Sequence, residues 1–282
     1  MTKKLKVPDV YEDRLCLFID ILGFKNHVEE SAKPVDKDAK MGYRPFTVAR
    51  LHTALSAIER TMRFEIDGMV NKPETTKKVT QFSDSVVMSY TLGETSALFD
   101  MLSDIKILQV HLIHYGILIR GAITLGKLYH DDKLVFGPAL VEAAELEKLA
   151  MYPRVILSQE VIDQGKNRHA PHHSSKDEEK SIMSLLKQDL DGMFFIDYFG
   201  VSPDEFNDEW DGLFNHLTEL RELIKRLSQF TRTPSIKLKH SWLRQKFNEI
   251  ARPLEQSRYR QLNGGYVPEH LEDHIRSLAP FK

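Results

Sequence analysis

Cysteine is almost absent: the chain has one, Cys16. No internal disulfide can form, so a packed core must hold the fold, and a reducing compartment is expected. Long apolar runs are missing too. No stretch approaches the roughly 18 apolar residues of a membrane span. The basic start, Met1-Thr2-Lys3-Lys4-Leu5-Lys6, leads into no apolar run of the secretory kind. These absences predict a cytoplasmic protein with no membrane partner. Excess charge of one sign is also lacking. The 39 Lys and Arg against 41 Asp and Glu leave a formal charge of −2, which gives no reason to expect a nucleic-acid partner. His169, His172 and His173 have no further Cys or His at zinc spacing and read as solvated side chains. No internal repeat or low-complexity run is present.

The 282 residues are 41% hydrophobic and 28% charged, enough for one large soluble domain or two small ones. The stretch Leu15–Phe24, Leu-Cys-Leu-Phe-Ile-Asp-Ile-Leu-Gly-Phe, is an apolar run of strand length with one carboxylate, Asp20, inside it. It ends in a glycine turn. A charge in such a strand is costly unless a cation, hydrogen-bond donors or a metal ion meets it. A second run, Val79-Thr80-Gln81-Phe82-Ser83-Asp84-Ser85-Val86-Val87-Met88, repeats the pattern around Asp84. Two strands that each place one carboxylate at matching depth can hold Mg²⁺ or Mn²⁺, ions often bound by one or two carboxylates plus substrate phosphates. The competing reading, that each Asp caps a helix or closes a turn, stays open on these residues alone.

Along the chain, residues 1–13 form a polar tail and 14–21 a strand. Residues 29–41 are a polar loop. Phe46, Val48, Leu51, Leu55, Ile58, Met62 and Phe64 recur at helical spacing, which predicts a helix over 45–67. Residues 79–90 read as a hairpin turning near Ser83-Asp84. A helix follows over 96–115 and a strand over 117–125, with a turn at His130-Asp131-Asp132-Lys133. Gly137-Pro138 opens a helix to residue 150, proline being suited to a first turn. A strand over 154–157 and a short helix over 158–164, capped by Ser158, precede a polar loop over 165–180. Residues 192–199 are the last strand. Beyond them come helices over 203–230, 235–251 and 269–277, broken at Pro234, Pro253 and Gly264-Gly265. The division is thus a tail (1–13), an α/β domain (14–199) and a helical C-terminal segment (200–282). Strands alternate with helices around a hairpin. The predicted fold class is a ferredoxin-like α/β (α+β) sandwich with a mixed, mostly antiparallel sheet covered on one face.

Four elements in this order resemble the class III nucleotide cyclases. They are Phe18-Ile19-Asp20-Ile21-Leu22-Gly23-Phe24, Phe82-Ser83-Asp84, Arg120-Gly121-Ala122-Ile123-Thr124-Leu125-Gly126, and the run from Phe136-Gly137-Pro138 to Glu147. Ser83 and Ala122 stand where the family has glycine. The family's purine enzymes carry an Asn and an Arg that act on the transition state, and those positions hold Val141 and Glu145. Their base-reading positions hold Thr80 and Leu134. The metal half of the pattern is kept and the purine-reading half is absent. This combination is similar to the pyrimidine cyclases of bacterial anti-phage defence, the Pycsar type. The sequence from Gly137 to Glu147, the following Tyr152-Pro153-Arg154-Val155-Ile156 and the helical tail resemble that group too.

The resemblance implies cyclisation of UTP, or less readily CTP, to a 3′,5′-cyclic mononucleotide with loss of pyrophosphate. Asp20 and Asp84, with the Ile21 carbonyl, would hold two divalent ions, Mn²⁺ or Mg²⁺. The backbone amides of Leu22, Gly23 and Phe24 would cradle phosphates at a glycine turn, and Lys187 would bind the triphosphate or be a surface lysine. Thr80, Tyr43 and Arg44 are the candidate base readers. Arg120 or Arg154 would supply a transition-state cation, unless they serve structural ion pairs. The family's site forms between subunits, which implies a homodimer whose Phe136–Glu147 segment faces the partner. The product would act on a separate effector protein. The competing readings are a degenerate nucleotide-binding module, a purine cyclase, or another palm-type nucleotidyl transferase, whose Gly-Gly-acidic turn is replaced here by Phe82-Ser83-Asp84-Ser85.

Overall fold

The computed structural model describes residues 10–34, 46–63, 75–228, 233–255 and 277–282. Strand β1 (Glu12–Ile21) lies at the centre. Its odd residues Leu15, Leu17, Ile19 and Ile21 face one side, as strand alternation requires. They are buried with residues of α2 (Val48–Arg63) and α3 (Ala97–His114), among them Ile58, Met62, Met101 and Ile105. On the other side Cys16 packs with Phe18 and with Ala139 and Ala143 of α4 (Pro138–Leu149). Asp20 is the next residue on that second face.

The remaining strands are β2 (Lys78–Phe82), β3 (Ser85–Thr91), β4 (Ile119–His130), β5 (Val135–Phe136), β6 (Val155–Leu157), β7 (Leu186–Gln188) and β8 (Phe194–Ile196). The sheet order is β2-β3-β1-β4-β6-β8-β7, with β5 paired to β4. Among the described pairings only β4 with β6 is parallel. The sheet is mixed and mostly antiparallel, as expected, and β2-β3-β1-β4 has the ferredoxin-like order. The register puts Asp20 opposite Ser85 on one side and opposite Arg120 on the other. Gly121 lets β4 approach this closely: a Cβ there would lie 2.5 Å from Ile19 Cγ2 and 2.6 Å from the Phe18 carbonyl oxygen.

The sheet is not covered on one face alone. Helix α8 (Pro234–Glu255) lies on the second face, and α7 (Glu209–Ser228) packs against α3 and α8 and shares their core. Ala122, Ile156 and Phe195 are buried there with Trp242, Leu243 and Phe247 of α8. The reason is legible in β6, where Val155, Ile156 and Leu157 are all buried; a strand apolar on both faces needs cover on both. The loop expected over 165–180 is also corrected. Helix α5 runs Gln159–Lys166, with Ser158 accepting from the Val161 amide, and α6 spans Ser175–Ser184. A Ser174–Asp177 capping box starts α6 and Ile182 buries its inner face, a short polar motif that outweighs low apolar content. Strand β4 extends to His130, and β7 was not anticipated. The expected helix over 269–277 lies mostly outside the described residues. Among the described residues no helix is long and apolar enough to cross a membrane.

Candidate active site

The site forms where β1 ends against the β2–β3 turn. The Ile21 amide donates to the Asp84 carbonyl at 3.1 Å, so the end of β1 is tied to the turn. Ser83, which precedes Asp84, has φ 56°, the left-handed region that glycine adopts more easily. The Asp84 carboxylate lies close enough to Asp20 for its charge to raise the Asp20 pKa. Burial, then the Asp84 charge, then Glu147, push the Asp20 carboxyl up to about 6, against the pull of Arg120.

Arg120 Nη2 stands 3.9 Å from Asp20 Oδ2. Its Nε donates instead to Glu147 Oε1 on α4, and Glu147 is only 4% exposed. The guanidinium is therefore held by Glu147 and neutralises the Asp pair incompletely. Two adjacent carboxyls that raise one another's cost of ionisation fit an added cation. Among the described residues no group of three or more His, Cys, Asp or Glu is assembled for a metal. Asp20 and Asp84 thus suit an ion that keeps phosphate and water among its ligands.

Gly23 has φ 75° and opens α1 (Phe24–Ser31) beside the pair. The Leu22 amide is already committed to the Leu118 carbonyl at 2.9 Å. Helical bonding returns to the Gly23 carbonyl from the Asn26 amide at 2.9 Å and from the His27 amide at 3.2 Å. The Gly23 and Phe24 amides lie in the first turn, where a helix does not use its own donors.

The other expected residues are placed elsewhere. Lys187 is on β7, four strands from β1, which at sheet spacing is about 19 Å. Its Nζ pairs with Asp197 at 2.8 Å. Arg154 is fully buried and pairs with Asp189 at 2.7 Å and with Asp191. Tyr43 and Arg44 lie outside the described residues. Leu134 and Val141 are 58% and 60% exposed, and Glu145 is exposed as well.

Thr80 sits on β2, and its Oγ1 is 2.9 Å from His130 Nε2. His130 Nδ1 is 2.8 Å from Ser89 Oγ, which accepts from Arg14 Nε at 2.9 Å. Ser89 is buried, and while accepting from Arg14 its hydroxyl can still either donate to the ring or accept from it. Burial, then Arg14 and Lys78, lower the His130 pKa to about 4, so the ring is neutral at pH 7.

Sequence reading missed three residues here. Glu147 continues the buried spacing of Ala139 and Ala143 on α4, a signal that could have found it. His130 was read only as part of a turn. Lys239 of α8 is half-buried near Arg120, Glu147 and Asp20, and burial, then Arg120, lower its pKa. Nothing local in the sequence ties it to the site.

No family model matches the chain, and no curated protein matches it. The fold is that of a mixed α/β sandwich. Among solved structures it is similar to a bacterial light-regulated adenylyl cyclase, at 16% identity and TM-score 0.40, over 68% of this chain and 92% of that one. It is also similar to the catalytic core of a rhodopsin-guanylyl cyclase with converted specificity in complex with ATPalphaS. That match has 12% identity and TM-score 0.36, over 66% of this chain and 95% of that one. At these values neither likeness bears on what the carboxylates do.

Proposed function

We propose that the chain is a nucleotidyl cyclase that converts UTP, or less readily CTP, to its 3′,5′-cyclic monophosphate and pyrophosphate. The observation that carries this is the Asp20–Asp84 pair beside the Gly23 turn and the first turn of α1. The catalytic unit is residues 14–199, with α7 and α8 of the C-terminal segment packed against it. Asp20, Asp84 and the Ile21 carbonyl would hold two divalent ions, Mn²⁺ or Mg²⁺. Such ions, when bound, lower the pKa of the ribose 3′-hydroxyl and neutralise charge on the phosphates. The Gly23 and Phe24 amides orient the β- and γ-phosphates for in-line attack. The 3′-oxygen bonds the α-phosphorus, the bond to the bridging oxygen breaks, and pyrophosphate leaves with that electron pair. The 3′ proton passes to solvent.

The Thr80 hydroxyl, which can donate and accept, would read uracil O4 or the amino group of cytosine. In the reading taken from the resemblance, two copies of the chain share each site, one giving the carboxylates and the other the base contacts. Exposed Leu134, Phe136 and Val141 supply an apolar surface for that partner copy. The product would serve as a cytoplasmic second messenger in anti-phage defence and act on a separate effector.

The test is incubation with each of the four ribonucleoside triphosphates and Mn²⁺, with products identified by mass. Cyclic UMP in excess supports the reading. Cyclic AMP or GMP overturns the pyrimidine assignment and keeps the cyclase. Binding without any product selects a nucleotide-binding module instead. That second reading is favoured by the Arg120–Glu147 tie, which occupies a cation beside the site. An active preparation with the mass of one chain in solution overturns the dimer.

A further inference from the structure

The C-terminal helices were expected only as a tail, yet α8 is fastened to the face that carries Asp20. Trp242 Nε1 donates to Asp189 Oδ2 at 2.7 Å, and its ring stacks on Tyr152 at 5.3 Å. Lys246 Nζ pairs with Asp189 at 3.3 Å, and Leu243 and Phe247 are buried. Residues 239, 242, 243, 246 and 247 follow the spacing of one helix face, so Lys239 lies one turn before the anchor on the sheet-facing stripe. The steps match. One helical turn is about 5.4 Å, and two strand residues, from Ala122 back to Arg120, span about 6.7 Å. Trp242 belongs to the cluster over Ala122, and Lys239 lies within electrostatic reach of Arg120, Glu147 and Asp20.

We propose that Lys239 binds the phosphate chain of the substrate, so that the C-terminal helix completes the active site of its own chain. This rests on reading the Asp20–Asp84 pair as a triphosphate site. The neighbouring cations are already committed: Arg120 to Glu147, Arg154 to Asp189 and Asp191, Lys246 to Asp189, Lys187 to Asp197. Lys239 has no ion pair or hydrogen bond among the described residues; its charge is felt by Asp20 and Glu147 only at a distance. A half-buried ammonium without a partner has lost hydration and gained little in return. A phosphate oxygen would restore that loss with a charge-assisted hydrogen bond. Placed beside the carboxylates, the ammonium would also steady the negative charge that collects on departing pyrophosphate.

The experiment is calorimetric titration of inorganic tripolyphosphate with Mn²⁺ into the full chain, which requires no turnover. Lys239→Gln and Lys239→Met should weaken binding by about tenfold or more, the loss of one charged hydrogen bond. Lys239→Arg should stay within about threefold of wild type. A merely structural lysine would behave differently: its loss would lower the melting temperature of the unliganded chain. Here both uncharged variants should melt no lower than wild type. Tripolyphosphate binding equal to wild type in both, with Asp20→Asn abolishing it, overturns the inference and leaves the proposed function standing. Failure of wild type to bind tripolyphosphate with Mn²⁺ overturns both.

Discussion

Asp20 lies beside Asp84, whose charge raises its carboxyl pKa, although 63 residues separate the two in the chain. One ends the central strand and the other sits in a hairpin turn, and the Ile21 amide joins the two segments at 3.1 Å. The arrangement stores like charge at one point of the sheet.

Removing that charge should separate stability from function. The Asp20 carboxyl lies near 6 in the fold against 3.8 ordinarily. The raised value means the fold favours the protonated form. Its contribution to stability is whole below 3.8 and is lost as pH rises through 6. Asp20→Asn should therefore stabilise the metal-free chain at pH 7.5 by about 1–3 kcal/mol and change little at pH 4. It should abolish cyclisation and remove any rise in melting temperature on adding Mn²⁺. Melting curves at both pH values, with and without Mn²⁺, check this; equal Mn²⁺ stabilisation of variant and wild type would show that Asp20 is not a ligand.

The Arg120–Glu147 pair should behave as a buried ion pair. Glu147 is nearly inaccessible, and its loss would leave the guanidinium facing only Asp20 at 3.9 Å. Glu147→Gln should cost about 1–3 kcal/mol in urea unfolding at pH 7. Arg120→Lys should cost less in stability than Glu147→Gln. An unchanged unfolding midpoint for Glu147→Gln would mean the pair contributes nothing.

Backbone positions around the site give opposite expectations. At Gly121 an added Cβ meets the Phe18 carbonyl oxygen at 2.6 Å, a backbone atom that cannot swing away. Gly121→Ala should destabilise by about 3 kcal/mol or more and disturb the facing of Asp20 and Arg120. At Ser83, φ is already 56°, so Ser83→Gly should relieve strain and stabilise by up to about 1 kcal/mol, since glycine's unfolded-state entropy offsets part of the gain. Thermal unfolding distinguishes the two signs.

Much of this was legible before any coordinates. Alternating apolar residues defined β1, the hairpin placed Asp84, and the position of Pro138 opened α4. What could not be read arises from contacts distant along the chain. The cover on the second face depends on Trp242 meeting Phe195, at 5.6 Å between rings, which no local period announces. Lys239 reaches the site only because α8 is anchored by Asp189. Arg154 and Lys187 carry the charge that phosphate binding needs, but Asp189, Asp191 and Asp197 meet them first. A cation's sequence position does not reveal which carboxylate folds against it.

His130 should set both acid sensitivity and base choice. The ring is nearly buried between Thr80 and Ser89, and its pKa is lowered to about 4 from 6.5. A depressed histidine contributes stability above 6.5 that is lost as pH falls through 4, because the fold must then hold a charged ring beside Arg14 and Lys78. Between pH 7.5 and pH 4, wild type should lose up to about 3 kcal/mol from this group. His130→Gln should be less stable at pH 7.5, since Ser89 and Thr80 lose a partner, yet lose less on acidification. The same variant removes the ring that holds Thr80 Oγ1 at 2.9 Å, so the ratio of UTP to CTP turnover should change. Urea unfolding at the two pH values and paired initial rates check the two effects. A His130→Gln chain with wild-type acid sensitivity and an unchanged ratio would detach Thr80 from base reading.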